Sequence, residues 1–315
     1  MEIEKIRILS EKITKKHPDI IIKVASDLID TRIVHFYLHE NEKSRTKGFA
    51  SDINAEVALT KAYAEFVERK IFLKTIERTS SGFAAHASKE QAYISAQHEL
   101  IERDSFLISW IINHHPYWLT EVELTQINSV DTKQIKEALG LHNMDYKIGI
   151  VAKTGDVLTA IGLLHSCDNS FGFAIDCKSG NDFNFLLTNL LQSICYYATM
   201  IINRKKQDKI YNLLTEENVK KVEDHLEFYL NPKNINHAFF NGSKDILILP
   251  EIESIESKEF DNLDSAICLS VVQCFSKFSQ NYFVGKTTDD NINFQRLKKV
   301  TSQEIIINKN LHPLP

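Results

Sequence analysis

Charged and aliphatic positions interleave along residues 3–16 at a spacing that predicts a helix. Asp19 to Val24 and Arg32 to His39 are apolar, β-branched runs suited to strands. A first long charged helix is expected from about Asn54 to Glu77, with Ser51, Asp52 or Asn54 as its cap. A second is expected from near Ser88, whose following Glu90 and Gln91 suit a first turn, to about Asn113. Met144 to Ala152, Val157 to Leu164 and Phe171 to Asp176 read as three strands, followed by an uncharged helix from Asp182 to Asn203. Thr215 to Leu230 reads as helical, and Asp245 to Leu249 and Ala266 to Cys274 as strands. The tail from Asn291 to Pro315 reads as irregular. Strands alternate with helices, so the fold class is α/β or α+β, with repeated loop-helix units packed on a central sheet.

The two charged helices are copies of one segment. Gly48-Phe49-Ala50 recurs as Gly82-Phe83-Ala84, and Glu56, Ala58, Ala62, Glu65, Glu68, Arg69, Phe72 and Leu73 recur as Glu90, Ala92, Ala96, Glu99, Glu102, Arg103, Phe106 and Leu107. Eleven of 26 positions match at an offset of 34. On a helix, each Glu-x-x-Glu-Arg set lies on one side with two small alanines. Four carboxylates and two guanidinium groups brought together need cations or polyanions, and Mg²⁺ with nucleotide phosphates would supply both. The plainer reading is a pair of solvated i,i+4 ion pairs, Glu65 with Arg69 and Glu99 with Arg103. A tetratricopeptide solenoid shares the period of 34 but not the residues, and no third copy follows at that spacing. A degenerate third copy begins at Gly172-Phe173-Ala174, with Ser193 and Tyr196 where the carboxylates would lie.

The 315 residues are 43% hydrophobic and 25% charged, as in a globular protein able to bury a full core. A net charge of −5 and no basic stripe with interleaved aromatics argue against nucleic acid as the main partner. No signal peptide and no apolar run near 18 residues are evident, the longest being Phe106 to Ile112, so a cytoplasmic protein without a membrane span is expected. The five cysteines show no metal-binding spacing and read as reduced.

Several words of the chain together resemble the YcaO family, nearly end to end. They are TKGFAS before AEFVER, TSSGFAAHAS before AQHELIERD, GFAIDCKSGND before the third helix, NFQRL, and a terminal HPLP. The resemblance implies a single YcaO domain over residues 1–315 and a bacterial, ATP- and Mg²⁺-dependent enzyme acting on backbone amides of ribosomally made peptides. In the azoline-forming branch a Cys, Ser or Thr side chain attacks the preceding carbonyl. ATP then phosphorylates the oxygen, and loss of phosphate completes the cyclodehydration. The alternatives are backbone thioamidation by the same ATP chemistry and a non-catalytic scaffold that binds partner or peptide.

On this reading Glu65, Glu68, Glu99 and Glu102 face metal, and Arg69 and Arg103 touch phosphates or orient the carboxylates. Ser80, Ser81 and Gly82 lie in a loop whose hydroxyls and N–H groups suit an anion. The proline-rich ending implies a terminus placed in the active site, with Pro313 stiffening it and the free carboxylate of Pro315 exchanging protons. The 47 residues before the first GFA are too few for a leader-peptide-binding module, so the precursor peptide would be captured through an E1-like partner. Homo-oligomerisation is left open. Lys61, Ala87, Gln91 and Ser193 stand where many members carry hydroxyl, Asn or Glu residues, which puts the strength of ATP binding in question.

Overall fold

The computed structural model describes residues 2–41, 46–75, 81–126, 132–207, 214–234, 241–260, 266–301 and 306–314. The first half of the chain forms α1 (Glu2–Lys16), β1 (Ile21–Ser26), β2 (Val34–His39), β3 (Lys47–Asp52), α2 (Ala55–Phe72), β4 (Phe83–His86), α3 (Lys89–Ile111), β5 (Tyr117–Trp118), α4 (Glu121–Thr125) and α5 (Thr132–Gly140). The second half forms β6 (Met144–Thr154), β7 (Val157–Ser166), β8 (Phe173–Gly180), α6 (Phe183–Lys206), α7 (Val222–Leu230), β9 (Leu247–Leu249), β10 (Glu256–Phe260), β11 (Ser270–Phe275) and α8 (Phe294–Val300). The class is α+β, and the chain divides into two compact units.

Unit 1 comprises Met1–Leu100 with Ile255–Ser276. It holds two three-stranded antiparallel sheets, ordered β1-β2-β3 and β10-β11-β4. Helix α2 starts where the Asn54 side chain accepts the N–H groups of Glu56 and Val57, which stand without partners in the first turn. It buries Ala58, Leu59, Ala62, Tyr63, Phe66 and Val67, a stripe at helical spacing, beside Phe36 and Leu38 of β2.

Unit 2 comprises Ile101–Ser254 with Lys277–Pro315, so the division falls inside α3. Its sheet runs β5-β6-β7-β8, with β9 parallel to β6. Alternation along β8 turns Phe173, Ile175 and Cys177 into a core shared with Phe106, Leu107, Trp110 and Ile111 of α3, and sends Asp176 and Lys178 the other way. Helix α6, capped by Asp182 and ending in Arg204-Lys205-Lys206, packs on that sheet, its Ile194 lying against Gly162 of β7. It is the one helix among the described residues long and apolar enough to cross a membrane, and 67% of that apolar window is buried inside the protein, as in a core helix. Asn184, Thr188, Asn189, Gln192 and Ser193 interrupt it, so its sequence contains no long unbroken apolar run.

The GFA words lie at strands and not in loops. Gly48 is in β3, Gly82 directly precedes β4 and Gly172 directly precedes β8. A Cβ at these glycines would stand 2.0 Å from the Ala62 carbonyl oxygen, 2.0 Å from that of Cys274 and 2.1 Å from that of Tyr229. The word therefore recurs because each strand passes directly against another stretch of backbone, which only glycine permits.

Other elements depart from the expected ones. Helix α2 ends at Phe72, short of Glu77. The expected helix from Thr215 to Leu230 is broken into a 3₁₀ turn, Glu216–Asn218, and α7, because the Asp224 carboxylate accepts the N–H groups of Lys220 and Lys221 and restarts the helix. The tail contains α8, nucleated by the Asn293 side chain on the Arg296 N–H. Strand β10 is a charged edge strand with no apolar alternation, and so was not expected.

Candidate functional site

The second Glu-x-x-Glu-Arg set is carried by α3. Its last two residues, Glu102 and Arg103, enter unit 2 and meet the polar face of β8 there. Glu102 is buried, accepts the Ser179 backbone N–H, and has an oxygen 3.8 Å from Arg103 Nε. Burial pushes its carboxyl up from the ordinary range, against the opposing pull of Arg103 and Lys178. Asp176 receives the Ser193 hydroxyl at 2.6 Å and Lys178 Nζ at 3.0 Å. Burial acts to raise Asp176 too, but Lys178, the Ser193 hydroxyl and Arg103 outweigh it, and its carboxyl ends below the ordinary value. Two carboxylates and two cations thus form one cluster.

Arg103 also faces the end of the chain. Its guanidinium lies 5.4 Å from the centre of the Tyr282 ring, and the Tyr282 hydroxyl donates to the Leu314 carbonyl at 3.2 Å. Leu311, His312, Pro313 and Leu314 are all buried. Tyr229 donates to the Leu311 carbonyl, and His225 Nδ1 donates to the His312 carbonyl at 2.7 Å while its Nε2 accepts the Gly285 N–H. His312 Nε2 donates to the Phe283 carbonyl at 2.7 Å, and its ring stacks on His225 at 4.3 Å. Burial holds both histidines below the ordinary imidazole value, His312 far below. The tail is built into the unit rather than frayed, and Pro315 itself lies outside the described residues.

In unit 1, Glu65 accepts the Phe49 N–H at 2.8 Å and pairs with Arg69 at 2.7 Å, so there the i,i+4 pair is formed. Glu68 and Glu99 are half-buried. Ser81 and Gly82 are buried, the latter at φ +73° with its carbonyl accepting the Cys274 N–H, and along the chain they lead into β4 and not directly into α3. Ser80 lies outside the described residues. Among the positions that depart from the family, Lys61 pairs with Asp52 at 2.7 Å, and the Gln91 N–H is taken by the Ser88 hydroxyl that caps α3. Asp52 and Asp176 each stand four residues after a repeat glycine, Gly48 and Gly172.

Reasoning from sequence missed Asp176 and Lys178. Two polar residues at i and i+2 in an otherwise apolar strand share a face, and that spacing was the available signal. It also missed the partner of Asp104, which directly follows the second set. Arg296 of NFQRL grips Asp104 at 2.7–3.2 Å while donating to the carbonyls of Pro250 and Glu251.

Among the described residues, no three His, Cys, Asp or Glu side chains are placed to hold one metal ion. The donors nonetheless suit a Mg²⁺ bridged by nucleotide, which commonly takes one or two carboxylates and fills its shell with phosphate oxygens and water. Arg103 and Lys178 suit the phosphates themselves.

No protein-family profile matches the sequence, and no curated protein matches it. Solved structures do. A YcaO protein from Methanopyrus kandleri, bound with AMPPCP and Mg²⁺, superimposes with a TM-score of 0.61 at 13% identity, covering 93% of this chain and 96% of that one. The chain has the YcaO fold. The Escherichia coli microcin synthetase McbBCD complex with pro-MccB17 bound contains a chain that matches with a TM-score of 0.60 at 11% identity, covering 93% and 96%. A heterocyclase in complex with substrate and cofactor matches with a TM-score of 0.61 at 10% identity, covering 86% of this chain and 51% of that one. At these identities the likeness is one of fold.

Proposed function

We propose that the chain is an ATP-dependent peptide cyclodehydratase, a single YcaO domain that converts Cys, Ser or Thr residues of a ribosomally made peptide into azolines. The observation that carries this reading is the proline-containing tail, buried and tied through Tyr282 to the Arg103 that ends the second carboxylate set. The tail is so held as far as Leu314, whose carbonyl accepts the Tyr282 hydroxyl. Bound ATP would supply the phosphoryl group that turns an amide oxygen into a leaving group. Arg103 then answers phosphate charge, and Glu102 lends Mg²⁺ a carboxylate oxygen. Ser80, Ser81 and Gly82 lend anion-binding backbone, and Pro313 directs the Pro315 carboxylate, which accepts the proton released on ring closure.

The heterocyclase in complex with substrate and cofactor and the microcin synthetase complex with pro-MccB17 bound support a peptide substrate and a partner protein for this chain as well. The partner would be E1-like and bind the leader, and the setting would be the bacterial cytosol. The test is mass spectrometry of a precursor peptide incubated with the chain, ATP and Mg²⁺, with and without the partner encoded beside it. Loss of water supports cyclodehydration, and exchange of oxygen for sulfur supports thioamidation instead. Retention of the peptide without ATP binding points to a scaffold. Glu102→Gln should weaken Mg²⁺-ATP binding at least about tenfold without unfolding the chain, since metal ligation needs the charge. Unchanged affinity by calorimetry removes Glu102 from the site.

A further inference from the structure

The cluster in unit 2 is electrically complete before any ligand arrives: Glu102 and Asp176 bring two negative charges, Arg103 and Lys178 two positive ones. Lys178 Nζ straddles the Asp176 carboxylate, 3.0 Å from Oδ2 and 3.3 Å from Oδ1, as a bound cation would. The Lys178 side chain is 41% exposed, against 23% for Arg103, 20% for Asp176 and 9% for Glu102, so it is the side chain of the cluster with the most surface open to a ligand. The other occupant of Asp176 Oδ2 is the neutral hydroxyl of Ser193, which adds no negative charge to attract an ion.

We propose that Lys178 is a built-in cation of this site, taking the place of a divalent ion between Asp176 and Glu102 and binding a phosphate oxygen of the nucleotide. The ligand class is a nucleoside triphosphate, and the inference rests on the nucleotide reading above. Mg²⁺ contacts oxygen at about 2.0–2.1 Å and would have to expel the ammonium to reach Asp176. A lysine at that spot keeps one positive charge without metal, so part of the phosphate affinity becomes independent of divalent ions.

The experiment counts ions on the full-length chain by Mn²⁺ titration with electron paramagnetic resonance, for the wild type, Lys178→Met, and the Asp176→Asn/Lys178→Met double variant. Lys178→Met should gain one Mn²⁺ site, and the double variant should lose it again. In EDTA, ATP binding by calorimetry should weaken about tenfold to a hundredfold in Lys178→Met, the range for a charge-assisted hydrogen bond, and recover in Lys178→Arg. Lys178→Gln serves the same purpose if the Met variant melts early. Equal Mn²⁺ counts in wild type and variant, or metal-free ATP affinity indifferent to residue 178, overturns the proposal. A wild type that takes up no ATP with or without metal overturns the nucleotide reading, and the difference in Mn²⁺ count then still decides whether Lys178 occupies a cation position.

Discussion

Replacing Arg296 by Met tests what the Asp104–Arg296 pair does for unit 2. Both side chains are essentially sealed from solvent, at 0% and 1% exposure. The substitution keeps an extended apolar stem but leaves Asp104 with the Gln280 N–H as its hydrogen-bond donor, and deprives the Pro250 and Glu251 carbonyls of theirs. Removing one partner of a buried pair costs about 3–5 kcal/mol, a large share of the roughly 5–15 kcal/mol that holds a typical domain together. Asp104→Asn should cost a similar amount by stranding the guanidinium. The paired change Asp104→Leu/Arg296→Met removes both charges and should fall short of the summed single losses by at least about 2 kcal/mol. Urea unfolding followed by tryptophan emission is a suitable assay, because the chain's two tryptophans, Trp110 and Trp118, both belong to unit 2. Single variants that lose under about 1 kcal/mol, or a double variant additive in its parts, would show that the pair is incidental to stability.

Extending the chain beyond Pro315 by two residues should cut azoline formation about 10²-fold, the low range for a positioned acid or base, with the melting temperature unchanged; product mass and scanning calorimetry check the two halves. Deleting Leu314 and Pro315 should instead lower stability by about 1.5–3 kcal/mol, because Leu314 is 1% exposed. Stability should also fall with acidification. His225 and His312 titrate lower in the folded chain than in the unfolded one, so below about pH 6.5 the unfolded state takes up more protons and unit 2 weakens as the pH drops. Melting curves from pH 8 to 5 that stay flat, or that keep the same slope in His312→Gln, contradict that account. Gly172→Ala should cost more than about 2 kcal/mol, since its Cβ would press within 2.1 Å of the Tyr229 carbonyl oxygen; a wild-type melting temperature would refute the close-approach explanation of the repeated glycine.

The long helices and the three strands of unit 2 were legible because period and length agree there. The cap at Asn54 and the strand edges at Met144 and Val157 fall where the pattern puts them. Short or charged elements were not legible: β10 has an exposed Glu256-Ser257-Lys258-Glu259 edge, and α8 spans seven residues, too few for a period to declare itself. In the candidate site, the duplicated glutamates and arginines announced themselves by repetition. Asp176 and Lys178 had only a spacing of two in one strand. The Asp104–Arg296 pair joins residues 192 apart, and nothing local in either segment names the other. The reason that the repeated word begins with glycine, a neighbouring carbonyl oxygen that any Cβ would meet at 2.0–2.1 Å, exists only in three dimensions.

The central strand of the β10-β11-β4 sheet has a consequence for how this protein is made. Strand β4 pairs with β11, His86 opposite Ser270, residues 184 apart in the chain. At roughly 5–20 residues per second, a ribosome takes about 10–40 s to deliver that partner after β4 has emerged. Throughout that interval the nascent chain carries β4 with its β11-facing backbone groups unpaired, the condition that invites strand pairing with the wrong chain. Four residues is a short strand, and Phe83-Ala84-Ala85-His86 offers little to an intruding edge. Translation that stalls before residue 270 should therefore leave a species that chaperones and proteases recognise, one that cannot mature until synthesis resumes.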